Sequence, residues 1–282
     1  MEGKGAKELA LIANDLRQDV LRMLVPAQSG HTAGPLGMAD VFSVLFFREM
    51  NYRAKEPEWE GRDRFVLSNG HICPVLYAAM ARAGFFPLEE LSTLRKLGSR
   101  LQGHPKKGLL PGIETSSGPL GEGLAIACGM ALAGKMDGAA WRVYCATSDG
   151  EHQEGATWEA VMLAAKYKLD NLVMVCDRNF IQIDGNTEEV MPLGDLAGKY
   201  REFGWHAMDV DGHDYDALAR AFDEAKKTKG KPTAIIARTV PGNGVKAIEG
   251  DYKWHGKPPN AEEAAKMIGE LQEERKRIEG KE

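Results

Sequence analysis

Two short polar segments carry residue types that could bind a metal ion and a phosphate. Asp149 and Gly150 follow one apolar run, and Asn179 follows another. An Asp carboxylate, an Asn carbonyl and a backbone carbonyl are hard oxygen ligands that suit Mg²⁺ or Ca²⁺ and leave positions open for phosphate oxygens. Gly150 would let backbone N–H groups approach a phosphate closely, and a helix beginning near Gly155 would direct its N-terminus to the same place. We therefore predict a metal and phosphate site at these two segments.

Each residue alone also has an ordinary structural interpretation, in which Asp149 caps a helix and Asn179 occupies a turn. Their spacing favours the site, because they are separated by about one strand-helix-strand unit. Adjacent parallel strands would bring both side chains to one edge of a sheet, where ligands bind in such folds.

Histidines form a second candidate group. Four of the seven lie in segments rich in glycine and proline: His31, His71, His104 and His255. Imidazole can exchange protons with sugar hydroxyls near neutral pH. The alternative for any single loop histidine is a solvated side chain. That is our interpretation of the other three: His152, His206 and His213.

Strands and helices must alternate to position these groups. Apolar runs predict strands at 64–68, 142–147, 172–176, 205–210 and 233–237. Helical periodicity predicts helices at 6–24, 38–47, 74–83, 120–136, 156–167, 215–227 and 261–279. The pattern predicts an α/β fold with a doubly wound, mostly parallel sheet and helices on both faces. Without a repeat or a linker, residues 1–282 are expected to form one domain.

Two segments have compositions that call for an explanation. Residues 98–118 are rich in glycine and proline and predict an irregular loop with a functional role. The 120–136 helix contains several glycines, and each costs about 1 kcal/mol relative to alanine. Another backbone packed closely against this helix would explain them.

The bulk composition excludes some classes. The formal net charge of −5 argues against nucleic acid as a partner. The four scattered cysteines predict buried thiols in a reducing compartment. The N-terminus lacks a signal-peptide pattern, and no apolar run reaches the ~18 residues of a membrane span, so a cytoplasmic chain without a membrane partner is expected.

Five separate blocks of sequence resemble transketolases, in the same order along the chain. They are Ser29-Gly30-His31 with Pro35 to Ala39, Leu67 to His71, Gly98 to Pro105, Thr115 to Gly121, and Asp149-Gly150 with Asn179. The resemblance runs from about His31 to His255. It implies a thiamine-diphosphate-binding, pyrophosphate-type domain.

The resemblance also implies roles for individual residues. Asp149 and Asn179 would bind Mg²⁺ (or Ca²⁺ or Mn²⁺) through their side chains, and Ile181 would bind it through its backbone carbonyl. Contacts with thiamine diphosphate would come from His71, Gly118, Pro119, Leu120, Asp149, Gly150, Glu151 and Asn179. His31, His104 and His255 would face the substrate. Glu154 would lie at a subunit interface, in a carboxylate network linking two cofactor sites.

Transketolases continue into two further domains, and this chain corresponds to about the first. The missing part of the family pattern carries the glutamate that hydrogen-bonds the aminopyrimidine, and most of the residues that hold sugar phosphates. The resemblance therefore implies a C-terminal partner subunit in an α2β2 heterotetramer. The segment 252–259 is more like split or synthase-type relatives than full-length transketolases, and Thr32 replaces a common proline.

The activity implied is transfer of a two-carbon ketol unit from a ketose phosphate to an aldose phosphate, as in the pentose phosphate pathway. Alternatives within enzymes are a sulfo-sugar or branched-sugar transketolase, or a deoxyxylulose-phosphate-synthase-like activity. A non-catalytic cofactor-binding subunit is an alternative of another class. A nucleotide-binding protein is disfavoured, because the chain lacks a GxxxxGK[ST] loop.

Overall fold

The computed structural model describes residues 4–280, and a parallel five-stranded sheet organises them. The strands, numbered along the chain, are β1 (Arg64–Leu67), β2 (Val143–Ser148), β3 (Leu172–Arg178), β4 (Ile181–Gln182), β5 (Gly185–Asn186), β6 (His206–Asp211) and β7 (Thr233–Arg238). The sheet has the order β1-β2-β3-β7-β6, and every pairing within it is parallel. The short strands β4 and β5 form a separate antiparallel hairpin.

Helices cover both faces of this sheet. They are α1 (Ala6–Ala27), α2 (Ala33–Gly37), α3 (Ala39–Val44), α4 (Cys73–Arg82), α5 (Gly123–Met136), α6 (Gly155–Lys166), α7 (Thr187–Val190), α8 (Leu196–Glu202), α9 (Tyr215–Lys227) and α10 (Ala261–Glu279). A π-helical turn, Leu45–Glu49, extends α3, and short 3-10 turns occur at Gly70–Ile72, Leu88–Thr93, Gly150–Gln153 and Tyr252–Trp254. In residues 4–280 no helix is long and apolar enough to cross a membrane.

The strands β2, β3 and β7 are buried almost throughout, because successive side chains point to opposite faces and helices cover both faces, whereas β6 at the edge is partly exposed. On β2, Tyr144 belongs to the core shared with α1, α3, α4 and α9, whereas Cys145 belongs to the core shared with α5, α6 and α8. All four cysteines are free and buried, as predicted. The predicted α/β fold with helices on both faces of a parallel sheet is confirmed.

The predicted elements are present, with shifts at their ends. The helices at 215–227 and 261–279 have the predicted bounds. The first helix continues three residues further, to Ala27, and α2 occupies residues that we expected in a loop. The helix predicted from 120 begins only at Gly123, because Gly121 has a positive φ of 87° that interrupts the helical path.

Close packing explains some of the α5 glycines and not others. A Cβ added to Gly123 would lie 2.6 Å from the Cα of Ser68 at the end of β1, so this helix approaches backbone as predicted. A Cβ at Gly129 would meet nothing within 4 Å, which contradicts the prediction for that residue. Gly129 instead lies on the exposed side of the helix.

Candidate active site

A cavity of about 360 Å³ opens at the carboxyl ends of β2 and β3. It brings together most of the side chains and backbone groups singled out from the sequence: His31, His71, His104, His255, Gly118, Leu120, Gly150, Glu151, Glu154, Asn179 and Ile181. A larger cleft of about 730 Å³ lies between α10 and residues 243–249, and none of the predicted site residues lines it. The predicted residues therefore converge, although they come from segments far apart in the chain.

Asp149 lies directly beneath this cavity, fully buried at the end of β2. Its Oδ1 accepts a hydrogen bond from the Gly150 N–H at 2.8 Å, and its Oδ2 accepts one from the Phe180 N–H at 2.7 Å. Burial raises the pKa of the Asp149 carboxyl, and these N–H groups and Arg178 oppose that effect. The Phe180 contact joins the ends of β2 and β3, so the prediction that adjacent parallel strands bring Asp149 beside the Asn179 segment is confirmed.

The Asn179 side chain is fixed by its neighbours on β3. Its Nδ2 donates to Asp177 Oδ2 at 2.8 Å, and its Oδ1 accepts from the Ile181 N–H at 3.0 Å. Asp177 also accepts a hydrogen bond from the Thr239 hydroxyl, which follows β7. Burial and the nearby Asp149 carboxylate raise the pKa of Asp177 to about 7. This arrangement sets the orientation of the Asn179 amide, with its oxygen on the side of Ile181.

Glu151 connects three segments around the cavity. Its carboxylate accepts hydrogen bonds from the Ser68 hydroxyl, from the Gly121 N–H at 2.8 Å and from the Ser148 N–H at 3.1 Å. The side chain is fully buried, and burial raises its pKa. Glu151 therefore holds the loop that carries Gly118 and Leu120 against the end of β2.

Three histidine rings meet on the opposite wall. The ring centroids of His31 and His71 are 4.9 Å apart, those of His31 and His255 are 5.3 Å apart, and those of His71 and His255 are 5.2 Å apart. The Nδ1 atoms of His31 and His255 are buried without a hydrogen-bond partner. Buried polar atoms are normally paired, so these two are suited to a ligand that brings its own polar groups.

These histidines are neutral at pH 7. Burial and the positive charge that neighbouring His255 and Arg95 can carry lower the pKa of His31 to about 3. Burial lowers the pKa of His71 well below 6.5, and it also lowers those of His104 and His255. Neutral imidazoles can both donate and accept hydrogen bonds, which suits contact with hydroxyl groups.

Arg95 belongs to this region, although no sequence pattern pointed to it. Its Nη1 donates to Ser29 Oγ at 2.9 Å and its Nη2 donates to the Gly103 carbonyl at 3.2 Å. These partners lie next to His31 and His104 in sequence. One guanidinium therefore connects the two loops that carry these histidines.

Some predicted residues lie elsewhere or behave differently. Pro119 is exposed and does not line the cavity, and Glu154 is exposed at its rim. The expectation of a solvated side chain is wrong for His152, which is only 1% exposed and bonds to Ser148 and Tyr200. His213 is also hydrogen-bonded, to the buried Asp40 carboxylate at 2.7 Å.

The oxygen donors at the strand ends fit a hard cation. In residues 4–280 no group of three or more His, Cys, Asp or Glu side chains could hold a metal. One carboxylate, one amide oxygen and one backbone carbonyl do not form such a group, and they would need oxygens from a ligand to complete a shell of six. Asp149, Asn179 and Ile181 therefore suit a Mg²⁺ ion that is bound together with a phosphate.

Comparison with known proteins identifies the class of protein to which this domain belongs. Residues 9–276 match the family model described as the transketolase thiamine diphosphate binding domain. The transketolase of Leishmania mexicana has the same fold, with a TM-score of 0.86 and 32% identity over 99% of this chain and 47% of its own. The transketolase of Campylobacter jejuni gives a TM-score of 0.86 at 33% identity over 97% of this chain and 45% of its own. The protein is thus a thiamine diphosphate binding domain.

Similar sequences agree on the family. The chain is 43% identical to human transketolase over 266 residues, which is 92% of this chain and 41% of that protein. It is 40% identical over 262 residues to the 6-deoxy-6-sulfo-D-fructose transketolase subunit SqwG of Clostridium sp. (strain MSTE9), which is 93% of this chain and 95% of that subunit. The chain belongs to the transketolase family, and it spans 41% of the length of the mammalian transketolases it matches.

Proposed function

We propose that this chain is the cofactor-binding half of a transketolase that moves a two-carbon ketol unit between sugars. The observation that carries the proposal is the convergence of four neutral histidines and Asn179 on one cavity above the buried Asp149, within a thiamine diphosphate binding domain. When bound, thiamine diphosphate would supply the carbon nucleophile and the electron sink. The residues of this chain would hold it and orient the sugar.

The strand ends would bind the diphosphate. Asp149 and Asn179 would hold Mg²⁺ through side-chain oxygens and Ile181 through its carbonyl, while the Gly150 backbone and the N-terminus of α6 would face phosphate oxygens. Glu151 would act indirectly, because its carboxylate accepts hydrogen bonds from Ser68, Gly121 and Ser148 and so holds the Gly118–Leu120 loop.

The histidines would contact the sugar hydroxyls and the diphosphate. In the ligand-free chain the low pKa of His31, near 3, makes it a weak base at pH 7 that can orient a hydroxyl by hydrogen bonding. A bound anionic diphosphate would raise the pKa values of His71 and its neighbours towards neutrality. His104 is less buried than His31 or His71, and it is the better candidate for proton exchange.

A partner would provide the groups that this half does not. Among residues 4–280, no Lys or Arg lines the cavity, so this wall offers no cation to the anionic end of a sugar phosphate. Large apolar side chains are exposed on α5, on α6 and beside the cavity: Met136, Met162, Leu163, Leu120 and Ile183. Exposed apolar surface of this kind is typical of protein interfaces. We propose a C-terminal transketolase subunit as the partner, in an α2β2 assembly with Glu154 at an interface.

Cofactor binding is the first test. Calorimetry should detect thiamine diphosphate binding in the presence of Mg²⁺ and a large loss of affinity in EDTA. Asp149→Ala should abolish the metal-dependent part, while Asp216→Ala, at an exposed position in the first turn of α9, should keep it. Equal affinity with Mg²⁺ and EDTA in the unmodified chain would remove the metal from the proposal.

Activity is the second test. Xylulose 5-phosphate and ribose 5-phosphate should give ketol transfer only when a chain resembling the rest of a transketolase is added. The similarity to the SqwG subunit makes 6-deoxy-6-sulfo-D-fructose a second donor to assay in parallel. Transfer by this chain alone would refute the partner requirement. A correctly assembled complex that transfers neither donor would refute both substrate proposals.

A further inference from the structure

Arg178 is a buried cation for which the proposed reaction provides no role. It is the last residue of β3 and is 4% exposed. Its Nη1 lies 3.3 Å from Asp149 Oδ2, and its Nη2 lies 2.7 Å from Glu188 Oε1. One guanidinium therefore joins the carboxylate at the end of β2 to α7, which follows the β4–β5 hairpin.

Glu188 extends this bridge to the backbone of Leu193 and Gly194. Its Oε1 accepts from the Leu193 N–H and its Oε2 from the Gly194 N–H, both at 3.0 Å. The hydrogen bonds from Arg178 and these N–H groups outweigh burial and lower the pKa of Glu188 to about 2. Glu188 is thus ionised at neutral pH, and the bridge from Asp149 extends to residue 194.

The same guanidinium also supports the backbone at the start of this segment. Phe180 has a φ of 62°, in a left-handed region that residues with a side chain seldom adopt. The Arg178 guanidinium lies 4.1 Å from the centre of the Phe180 ring, and the Phe180 N–H donates to Asp149. Both ends of segment 180–194 are therefore fastened to the Arg178–Asp149 pair.

The arrangement leaves one oxygen of Asp149 available. Oδ2 accepts hydrogen bonds from Phe180, Arg178 and Thr187, whereas Oδ1 accepts only one, from Gly150, and a carboxylate oxygen can accept more than one. A buried carboxylate without a counter-charge is costly. Arg178 provides that charge in the absence of a metal, without covering Oδ1.

We propose that Arg178 is a positioning residue that clamps segment 180–194 to Asp149 and holds the diphosphate-binding edge in shape before a ligand binds. The segment contributes Ile181, Gln182, Ile183 and Asp184 to the cavity wall, so a loose segment would lower the affinity for Mg²⁺ and cofactor. The part of this inference that concerns Mg²⁺ rests on the proposed function, whereas the clamp itself does not.

Hydrogen exchange followed by mass spectrometry tests the clamp in the ligand-free chain. Arg178→Met and Glu188→Gln should each make the amides of 180–194 exchange about tenfold faster, as expected for the loss of a hydrogen bond to a charged group. Arg178→Lys should give an intermediate rate, because one ammonium cannot reach both carboxylates in the same way. At residues 180–187 the double variant should be no faster than Arg178→Met alone, since both changes break one bridge. At Leu193 and Gly194 it should be faster, because the glutamine introduced by Glu188→Gln offers a single acceptor oxygen to their N–H groups.

Arg62→Met is the matched control, because Arg62 is also buried and pairs with Glu114 far from this segment. It should leave exchange at 180–194 unchanged. The Mg²⁺ concentration needed for half-maximal thiamine diphosphate binding should rise about tenfold in Arg178→Met, as is common when a residue that orients a metal ligand is lost. It should not rise in Arg62→Met.

Three results would overturn the clamp. They are unchanged exchange in a folded Arg178→Met, acceleration spread evenly over the whole chain, and equal acceleration in Arg62→Met. If the unmodified chain fails to bind thiamine diphosphate with Mg²⁺, the proposed function fails, and the exchange measurement still decides the role of Arg178.

Discussion

Acid should lower the free energy of unfolding, because His152, in the turn that follows Asp149, is buried in its neutral form. The ring is buried between the Ser148 carbonyl, 2.7 Å from Nδ1, and the Tyr200 hydroxyl, 2.8 Å from Nε2. Because a carbonyl can only accept, Nδ1 carries the proton and Nε2 accepts from Tyr200. Burial, together with the positive charges of Arg178 and Lys199, lowers the pKa of His152 to about 4.

Because the pKa of His152 is lower in the folded chain, acid destabilises the folded state. In the unfolded chain a histidine titrates near 6.5, so below that pH the unfolded state binds a proton that the folded state refuses. The stability contributed by neutral His152 is complete above pH 6.5 and is lost as pH falls towards 4. Between pH 7 and pH 5 the loss is about 2 kcal/mol, and it reaches roughly 3 kcal/mol below pH 4.

Urea unfolding at pH 7 and pH 5 in EDTA measures this effect. Tryptophan fluorescence is a suitable signal, because the Trp158 ring lies 5.8 Å from the His152 ring. His152→Asn retains an amide donor for Ser148, and its drop in unfolding free energy between the two pH values should be smaller by about 2 kcal/mol. His206→Asn, at a partly exposed position of the edge strand, should keep the full drop. An equal drop in His152→Asn and in the unmodified chain would refute the reasoning.

Three further changes have defined outcomes. Gly123→Ala should lower the free energy of unfolding by about 1–3 kcal/mol, because its Cβ would press on Ser68, whereas Gly129→Ala in the same helix should raise it by about 0.5–1 kcal/mol. Equal urea midpoints for these two variants would contradict the packing of α5. Because the pKa of Asp177 is raised, protonated Asp177 adds to the free energy of unfolding below pH 3.8, and this stabilisation is lost as pH rises through 7. Between pH 4 and pH 8 the free energy of unfolding of Asp177→Asn should therefore increase by up to roughly 4 kcal/mol relative to that of the unmodified chain. Urea unfolding in EDTA checks that gain, and parallel pH profiles would exclude it. His104→Ala should reduce turnover of the assembled enzyme more than it reduces calorimetric cofactor affinity, and equal losses would place His104 against the cofactor.

The positions of Asp149 and Asn179 could be predicted because local patterns determine them. Continuous apolar runs define where β2 and β3 end, and a short strand-helix-strand unit makes the two strands parallel neighbours. The residues after both strands then reach the same edge. The helix ends were less predictable: the sequence pattern continues through Gly121, but the backbone leaves the helical path there.

The histidine cluster shows which features of the site local sequence patterns could not predict. Their segments could be recognised by resemblance to transketolases, but periodicity gave no reason for His31 and His255 to meet. Burial, which lowers the pKa of His31 to about 3, is likewise a property of the packed cavity. The erroneous expectation for His152 has the same origin, because the residue follows a polar strand end in sequence but is covered by Tyr200 from α8.

The sequence by itself determined the order of the main strands and helices, the sheet edge where the candidate site lies, and the family. Those properties depend on short-range periodicity and on contiguous motifs. Only the tertiary structure decided that Arg95 joins the His31 and His104 loops and that Arg178 joins Asp149 to Glu188. These pairings depend on side chains reaching between loops that the sheet brings together, as between Arg95 and Ser29, which are 66 positions apart. No local sequence pattern predicts such a contact, because the two side chains can meet only after the folded sheet has brought their loops together.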